Sequence, residues 1–151
     1  MIKLFVYGTL RTPNGFDTAD TRNYPRVVRE VLSSQPAQLR DARLLSFIQY
    51  PGIEPGNGTV SGELFELTPA GLEICDEIES HPDFFTRSEV TVSTTAGDQE
   101  TAWVYWSPVA LRESGVLIES GDWFDRDRSR SDGRTLEQAL AEDCQRSANS
   151  G

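Results

Sequence analysis

A single α+β domain, with a few helices outside its sheet, is the fold class that the sequence predicts. Three observations lead there. The chain has 151 residues, the usual span of one domain. Hydrophobic residues make up 37% of it, enough for a real core. Strand-like stretches lie before and after one well-marked helix, an order that α+β domains allow.

The elements follow in chain order. Ile2, Leu4 and Val6 alternate with Lys3, Phe5 and Tyr7, the two-residue period of a strand that stops at Gly8. Gly8 is expected to take backbone angles that a residue with a Cβ resists. Residues 11–24 are polar, with Pro13, Gly15 and Asn23, and read as a loop. Val27, Val28, Val31 and Leu32 fit one face of a short helix, and their β-branching fits a strand equally. Ala37–Phe47 reads as a strand. Tyr50–Gly58 is dense in Pro and Gly and is expected to be a loop. Thr59–Leu67 reads as a strand in which Gly62 marks close approach by another backbone or a ligand. Thr68–Glu79 is the clearest helix, with Thr68 as N-cap and Pro69 at the first helical position. Arg87–Thr95 and Thr101–Ser107 form a strand pair around an Ala96–Gln99 turn. Val109–Asp122 ends in Ser-Gly-Asp-Trp and is expected to cover part of the sheet. The domain proper is expected to span 1–124. Residues 125–151 then form a polar segment, a short helix around Leu136, Ala139 and Leu140, and a frayed tail.

The formal charge of −10 argues against nucleic acid or an anionic membrane as partner, because phosphate contacts need clustered Lys and Arg. Arg126, Arg128, Arg130 and Arg134 do cluster, but Asp125, Asp127 and Asp132 are interleaved with them. Cys75 and Cys144 lie far apart, without the spacing of a disulfide framework. The N-terminal apolar run is too short for a signal peptide, and no run approaches a membrane span. These features predict a soluble, cytoplasmic protein.

Two stretches carry candidate chemistry. After the first strand, Gly8, Thr9 and Leu10 could point successive N–H groups at one spot, a concavity that binds anions such as carboxylates. An ordinary loop is the alternative. The helix holds four acids, Glu73, Asp76, Glu77 and Glu79. At roughly 100° per residue, Glu79 lands between Leu72 and Cys75 at the edge of the apolar stripe, and the other three face water. A glutamate carried inward costs free energy unless it is paired or has a task.

Phe5-Val6-Tyr7-Gly8-Thr9-Leu10-Arg11 resembles the signature of the γ-glutamylcyclotransferase-like family. That family includes γ-glutamylamine cyclotransferases, AIG2-like proteins and BtrG-type deprotecting cyclotransferases. Tyr50-Pro51-Gly52, then Gly58, Val60 and Gly62-Glu63-Leu64-Phe65, also resemble its pattern, as do Trp103-Val104-Tyr105 and Gly121-Asp122-Trp123. Asp76-Glu77-Ile78-Glu79-Ser80, with Phe85-Thr86-Arg87, is similar to the family's Asp-x-x-Glu-Gly…Tyr-x-Arg. Ser80 stands for the usual Gly and Phe85 for the usual Tyr. The resemblance runs from Phe5 to Trp123.

The resemblance implies a small mixed β-barrel with flanking helices. It also implies cyclisation of a γ-glutamyl amine or amide to 5-oxoproline with release of a free amine. Glu79 would be the general acid/base, and Tyr7, Gly8, Thr9 and Leu10 would bind the substrate's α-carboxylate. Partial burial would be expected to raise the Glu79 carboxyl above its usual range. No metal or organic cofactor is needed: His81 is the only histidine, without metal-site spacing. Cys75 reads as core, Arg87 as a structural charge partner and Tyr105 as a core aromatic whose hydroxyl is the less favoured site group. Trp123 would close over the site or cap the core. The wall facing the leaving amine is expected from residues 11–24, Tyr50–Gly58 and Val109–Trp123. A binding module that keeps the barrel without turnover is the rival reading.

Overall fold

Five strands close into a ring, and a short sixth strand pairs with one of them at its end. The computed structural model describes residues 2–8, 10–11, 24–47 and 50–125. Strand β1 spans Ile2–Val6, helix α1 Tyr24–Val28, β2 Val31–Ser46, β3 Pro51–Leu67, helix α2 Pro69–Ile78, β4 Thr86–Thr94, β5 Gln99–Trp106 and β6 Val116–Leu117. Around the ring the order is β3-β1-β5-β4-β2, and β2 pairs back onto β3 to close it. The β1–β5 pairing is parallel, while β1–β3, β2–β3, β2–β4 and β4–β5 are antiparallel. This is the small mixed barrel that the family resemblance implied.

Both faces of β1 are apolar because both are covered. Phe5 and Tyr7 join Leu39, Ile53, Val60 and Val104 inside the barrel. Leu4 and Val6 pack outward with Phe65, Leu67 and Cys75, under α2. Gly62 is required by the closeness of β1 to β3, since a Cβ there would run into the carbonyl oxygen of Val6.

Helix α2 begins as its sequence dictates. The Thr68 hydroxyl accepts from the Gly71 N–H at 3.1 Å and donates to Glu30 Oε1 at 2.7 Å. Pro69 occupies the first helical position. The β4–β5 hairpin also forms as expected, with a turn at residues 95–98.

One reading needs correction. The expected loop at Tyr50–Gly58 is strand from Pro51 onward. Its partner decides this: Ser46, Leu45, Leu44, Arg43 and Ala42 pair with Pro51, Gly52, Ile53, Glu54 and Pro55. The prolines sit where a strand tolerates them, one at its first residue and one beside the irregularity between Arg40 and Ala42. The ambiguity around Val27–Leu32 resolves into both elements, a five-residue helix and the start of β2. Val109–Ser114 is a 3₁₀ turn that leads into β6. Thr9, most of the expected 11–24 loop and everything from residue 126 lie outside the described residues.

Candidate active site

Helix α2 ends in a way that fixes Glu79. The Glu79 N–H donates to the Cys75 carbonyl at 2.9 Å, making it the C-cap. Ser80 follows with φ of 54°, its N–H on the Glu77 carbonyl at 3.2 Å, while the His81 N–H reaches the Asp76 carbonyl at 2.9 Å. This is the paired hydrogen-bond closure that glycine usually provides at a helix end. Ser80 holds the left-handed conformation despite its Cβ, so the departure from the family's glycine leaves the turn intact. Glu79 emerges half-buried, with Leu72 and Cys75 buried beside it.

The side chain lines a cavity of about 250 Å³. Tyr7, Gly8 and Leu10 line the same cavity. Glu79 and the described part of the loop after β1 are thus brought together from positions about seventy residues apart in the sequence. The loop turns tightly, with the Arg11 N–H on the Gly8 carbonyl at 3.0 Å. Arg11 then pins it: its Nη1 lies 2.7 Å from Asp122 Oδ1, and its guanidinium carbon sits 4.0 Å from the centre of the Phe124 ring.

Gly8 plays a different part from the expected one. It does not take a left-handed φ; a Cβ there would instead collide with the ring of Pro51. The position demands space, not special backbone angles.

Asp76 needs a second correction. It does not face open water with Glu73 and Glu77. Arg87 from β4 grips it with two hydrogen bonds, at 2.7 and 3.1 Å, and the Tyr105 hydroxyl from β5 donates to it at 2.7 Å. Arg87 also lies over the Trp103 ring at 4.3 Å. Burial pushes the Asp76 carboxyl up, but the hydrogen bonds from Arg87 and Tyr105 outweigh it and hold the group below its ordinary value. The helical reading missed this because rotation about one axis cannot see strands that arrive from 11 and 29 residues away. The available signal was the Asp-x-x-Glu spacing, which sets two acids one turn apart on neighbouring faces.

Tyr7 and Tyr105 are coupled. The buried Tyr7 hydroxyl donates to the Tyr105 carbonyl at 2.7 Å. Burial, then the nearby Glu79 charge, pushes the Tyr7 phenol well above its ordinary value. Burial and the bond to Asp76 do the same to Tyr105. Both phenols therefore stay protonated near neutral pH and act as donors, not bases. Cys75 is pushed up to about 12 by burial, Glu79 and Asp76, so it remains a buried thiol. Tyr105 lines the cavity; Arg87 and Trp123 do not, and Trp123 belongs to the barrel interior.

The remaining lining differs in part from expectation. Tyr50 and Pro51 contribute as anticipated, whereas nothing from Val109–Trp123 does. Ile78, Phe84 and Phe85 stand in that role. Phe84 was not singled out by the sequence, although its place beside the motif position Phe85 was a usable signal.

The family model described as "Gamma-glutamyl cyclotransferase, AIG2-like" matches residues 4–125. The chain belongs to this family. Members of the family similar to it include a γ-glutamylcyclotransferase family protein, ytfP, of Citrobacter rodentium. That protein is 35% identical over 84% of this chain and 99% of its own length. The γ-L-glutamyl-butirosin B γ-glutamyl cyclotransferase of Niallia circulans is 27% identical over 82% of this chain and 76% of its own. The solution structure of ytfP from Escherichia coli superposes with a TM-score of 0.57 at 31% identity, covering 83% of this chain and 99% of that one. The cyclotransferase family match thus takes in Glu79 and the whole described lining of the cavity.

Proposed function

We propose that the protein is a γ-glutamyl cyclotransferase that releases 5-oxoproline and a free amine from a γ-glutamyl amine or amide, with Glu79 as its acid/base. The observation that carries this reading is the half-buried Glu79 in one cavity with the loop that follows β1. The α-carboxylate sits on N–H groups of Tyr7–Leu10, as anions do on successive backbone amides. This holds the γ-glutamyl chain bent, with its α-amine against its own γ-carbonyl. Intramolecular attack then gains from orientation alone.

Glu79 takes a proton from the α-ammonium, and the freed nitrogen forms a bond to the γ-carbonyl carbon. The bond from that carbon to the leaving nitrogen breaks. Glu79 returns its proton to the departing amine, and the second proton that the ring nitrogen sheds on becoming an amide also passes to that amine, which leaves as an ammonium. No cofactor takes part in this scheme, and the atoms balance without a further reactant. The rival reading, a binding module on the same barrel, predicts ligand binding without product.

The test is 5-oxoproline release from a panel of γ-glutamyl amines and amides by wild type and Glu79→Gln. The expected result is release by wild type and a loss of about 10²–10⁴-fold in the variant. Equal release by both proteins would move the base elsewhere. Binding without release by wild type would favour the rival.

A further inference from the structure

The Gly121-Asp122-Trp123 stretch resembles the family pattern, yet nothing from it lines the cavity. Its backbone is fastened to the barrel instead. The Gly121 carbonyl accepts from the Ser61 N–H of β3 at 2.7 Å, and the Gly121 N–H donates to the Ile118 carbonyl at 3.0 Å. Gly121 holds φ of 72°, and a Cβ there would run into the Thr59 carbonyl oxygen. Trp123 is buried in the barrel interior. The side chain carried between these two anchors is held in place by both.

That side chain is Asp122. Its Oδ1 accepts from the Phe124 N–H at 2.9 Å and from Arg11 Nη1 at 2.7 Å, across 111 residues of sequence. Arg11 depends on it. The Arg11 side chain is 12% exposed, and its buried Nε has no hydrogen-bond partner among the described residues. Glu63 Oε1 stands 3.8 Å from that nitrogen, beyond hydrogen-bond distance. A guanidinium buried to this degree is costly to leave without its acceptor. Arg11 also closes the turn that starts at Gly8, through its own N–H. The proposed α-carboxylate site consists of backbone groups of that turn, and such groups are aimed by whatever holds the chain.

Resting on the proposed activity, we propose that Asp122 is a positioning residue: through Arg11 it aims the Tyr7–Leu10 loop at the substrate's α-carboxylate. Two substrates with the same leaving amine test it: the γ-glutamyl amide that wild type turns over fastest, and the corresponding 4-aminobutanoyl amide, which lacks only the α-carboxylate. The ratio of their kcat/KM values reads the carboxylate site. Asp122→Asn keeps the size and the oxygen that caps Phe124 but removes the charge, and should cut that ratio about tenfold. The loss should fall on KM, because the α-carboxylate bears the same charge before and during reaction. Arg11→Gln should cut the ratio as much, and the double variant no further, with melting curves confirming that all three fold. Losses that fall equally on both amides, no loss at all, or additive losses in the double variant overturn the assignment. Calorimetry with 5-oxoproline and 2-pyrrolidinone, which differ by the same carboxylate, reads the site without turnover. If wild type turns over no γ-glutamyl amide, the cyclotransferase reading fails separately, and this binding comparison decides. Tighter binding of 5-oxoproline that Asp122→Asn reduces supports the assignment; no such advantage in wild type, or one left intact in the variant, overturns it.

Discussion

Around one cavity, the side built from β1, β5 and α2 is tied by hydrogen bonds between side chains and backbone. The side built from Tyr50, Phe84 and Phe85 is held by ring on ring. On the first, Tyr7 reaches the Tyr105 carbonyl, Tyr105 reaches Asp76, and Asp76 grips Arg87. Each such bond has a narrow distance and angle, so these groups are placed closely. On the second, stacked and tilted rings slide at small cost. The difference suits the two tasks expected of them. Proton transfer tolerates little displacement, whereas a wall that faces the leaving amine gains from adapting.

Three substitutions would break or sharpen this contrast. Gly8→Ala should have the largest effect. The new methyl meets the Pro51 ring, where the two sides join, and displaces the loop. A displacement of about 1 Å costs on the order of 10² in rate, so 5-oxoproline release should fall by that much, with about 1–3 kcal/mol of overpacking visible in denaturant melts. A wild-type rate would show that the loop does not position substrate.

Asp76→Ala comes next. It strips Arg87 and Tyr105 of a shared acceptor and should cost about 2 kcal/mol of stability. The contribution depends on pH. The folded chain holds the Asp76 carboxyl below its ordinary value, so the unfolded chain protonates first as pH falls through about 4. The stabilisation is therefore complete at neutral pH and is lost as pH drops through the folded value. Melting temperatures of wild type and Asp76→Ala should draw together as pH falls below the ordinary carboxylate range. A gap that persists there would mean that packing, not charge, holds the pair.

Ser80→Gly should have the smallest effect, and the opposite sign. Holding the left-handed region costs a serine roughly 1–2 kcal/mol, and the greater freedom of glycine when unfolded offsets about 0.4–1 kcal/mol of the relief. A net gain of about 0.5 kcal/mol should appear in denaturant melts, with activity unchanged.

Local chemistry was legible where one stretch carried it. Thr68 and Pro69 start α2 as read, and the apolar arc of that helix places Glu79 beside Leu72 and Cys75. The alternation of β1 was equally plain. Contacts that depend on another strand were not. Tyr50–Gly58 has the composition of a loop, and only its pairing with Ala42–Ser46 makes most of it strand. Asp76 looks like a surface acid until Arg87 and Tyr105 arrive from β4 and β5. Gly8 was recognised as necessary for the wrong reason, because Pro51, 43 residues on, is invisible to local rules. The ring itself came from resemblance, since no periodicity states which strands pair.

The closed ring also dictates when the cavity can exist. Strand β1 lies between β3 and β5, and the bond from Tyr7 to Tyr105 spans 98 residues. Contacts of such separation form late and slowly, because a long loop must close before they repay its entropy. A chain emerging from the ribosome can pair β1 with β3 and hold a half-built trough, but the last stave arrives only with β5. Ligand affinity should therefore appear all at once during refolding, in step with the slowest phase, and not build up strand by strand.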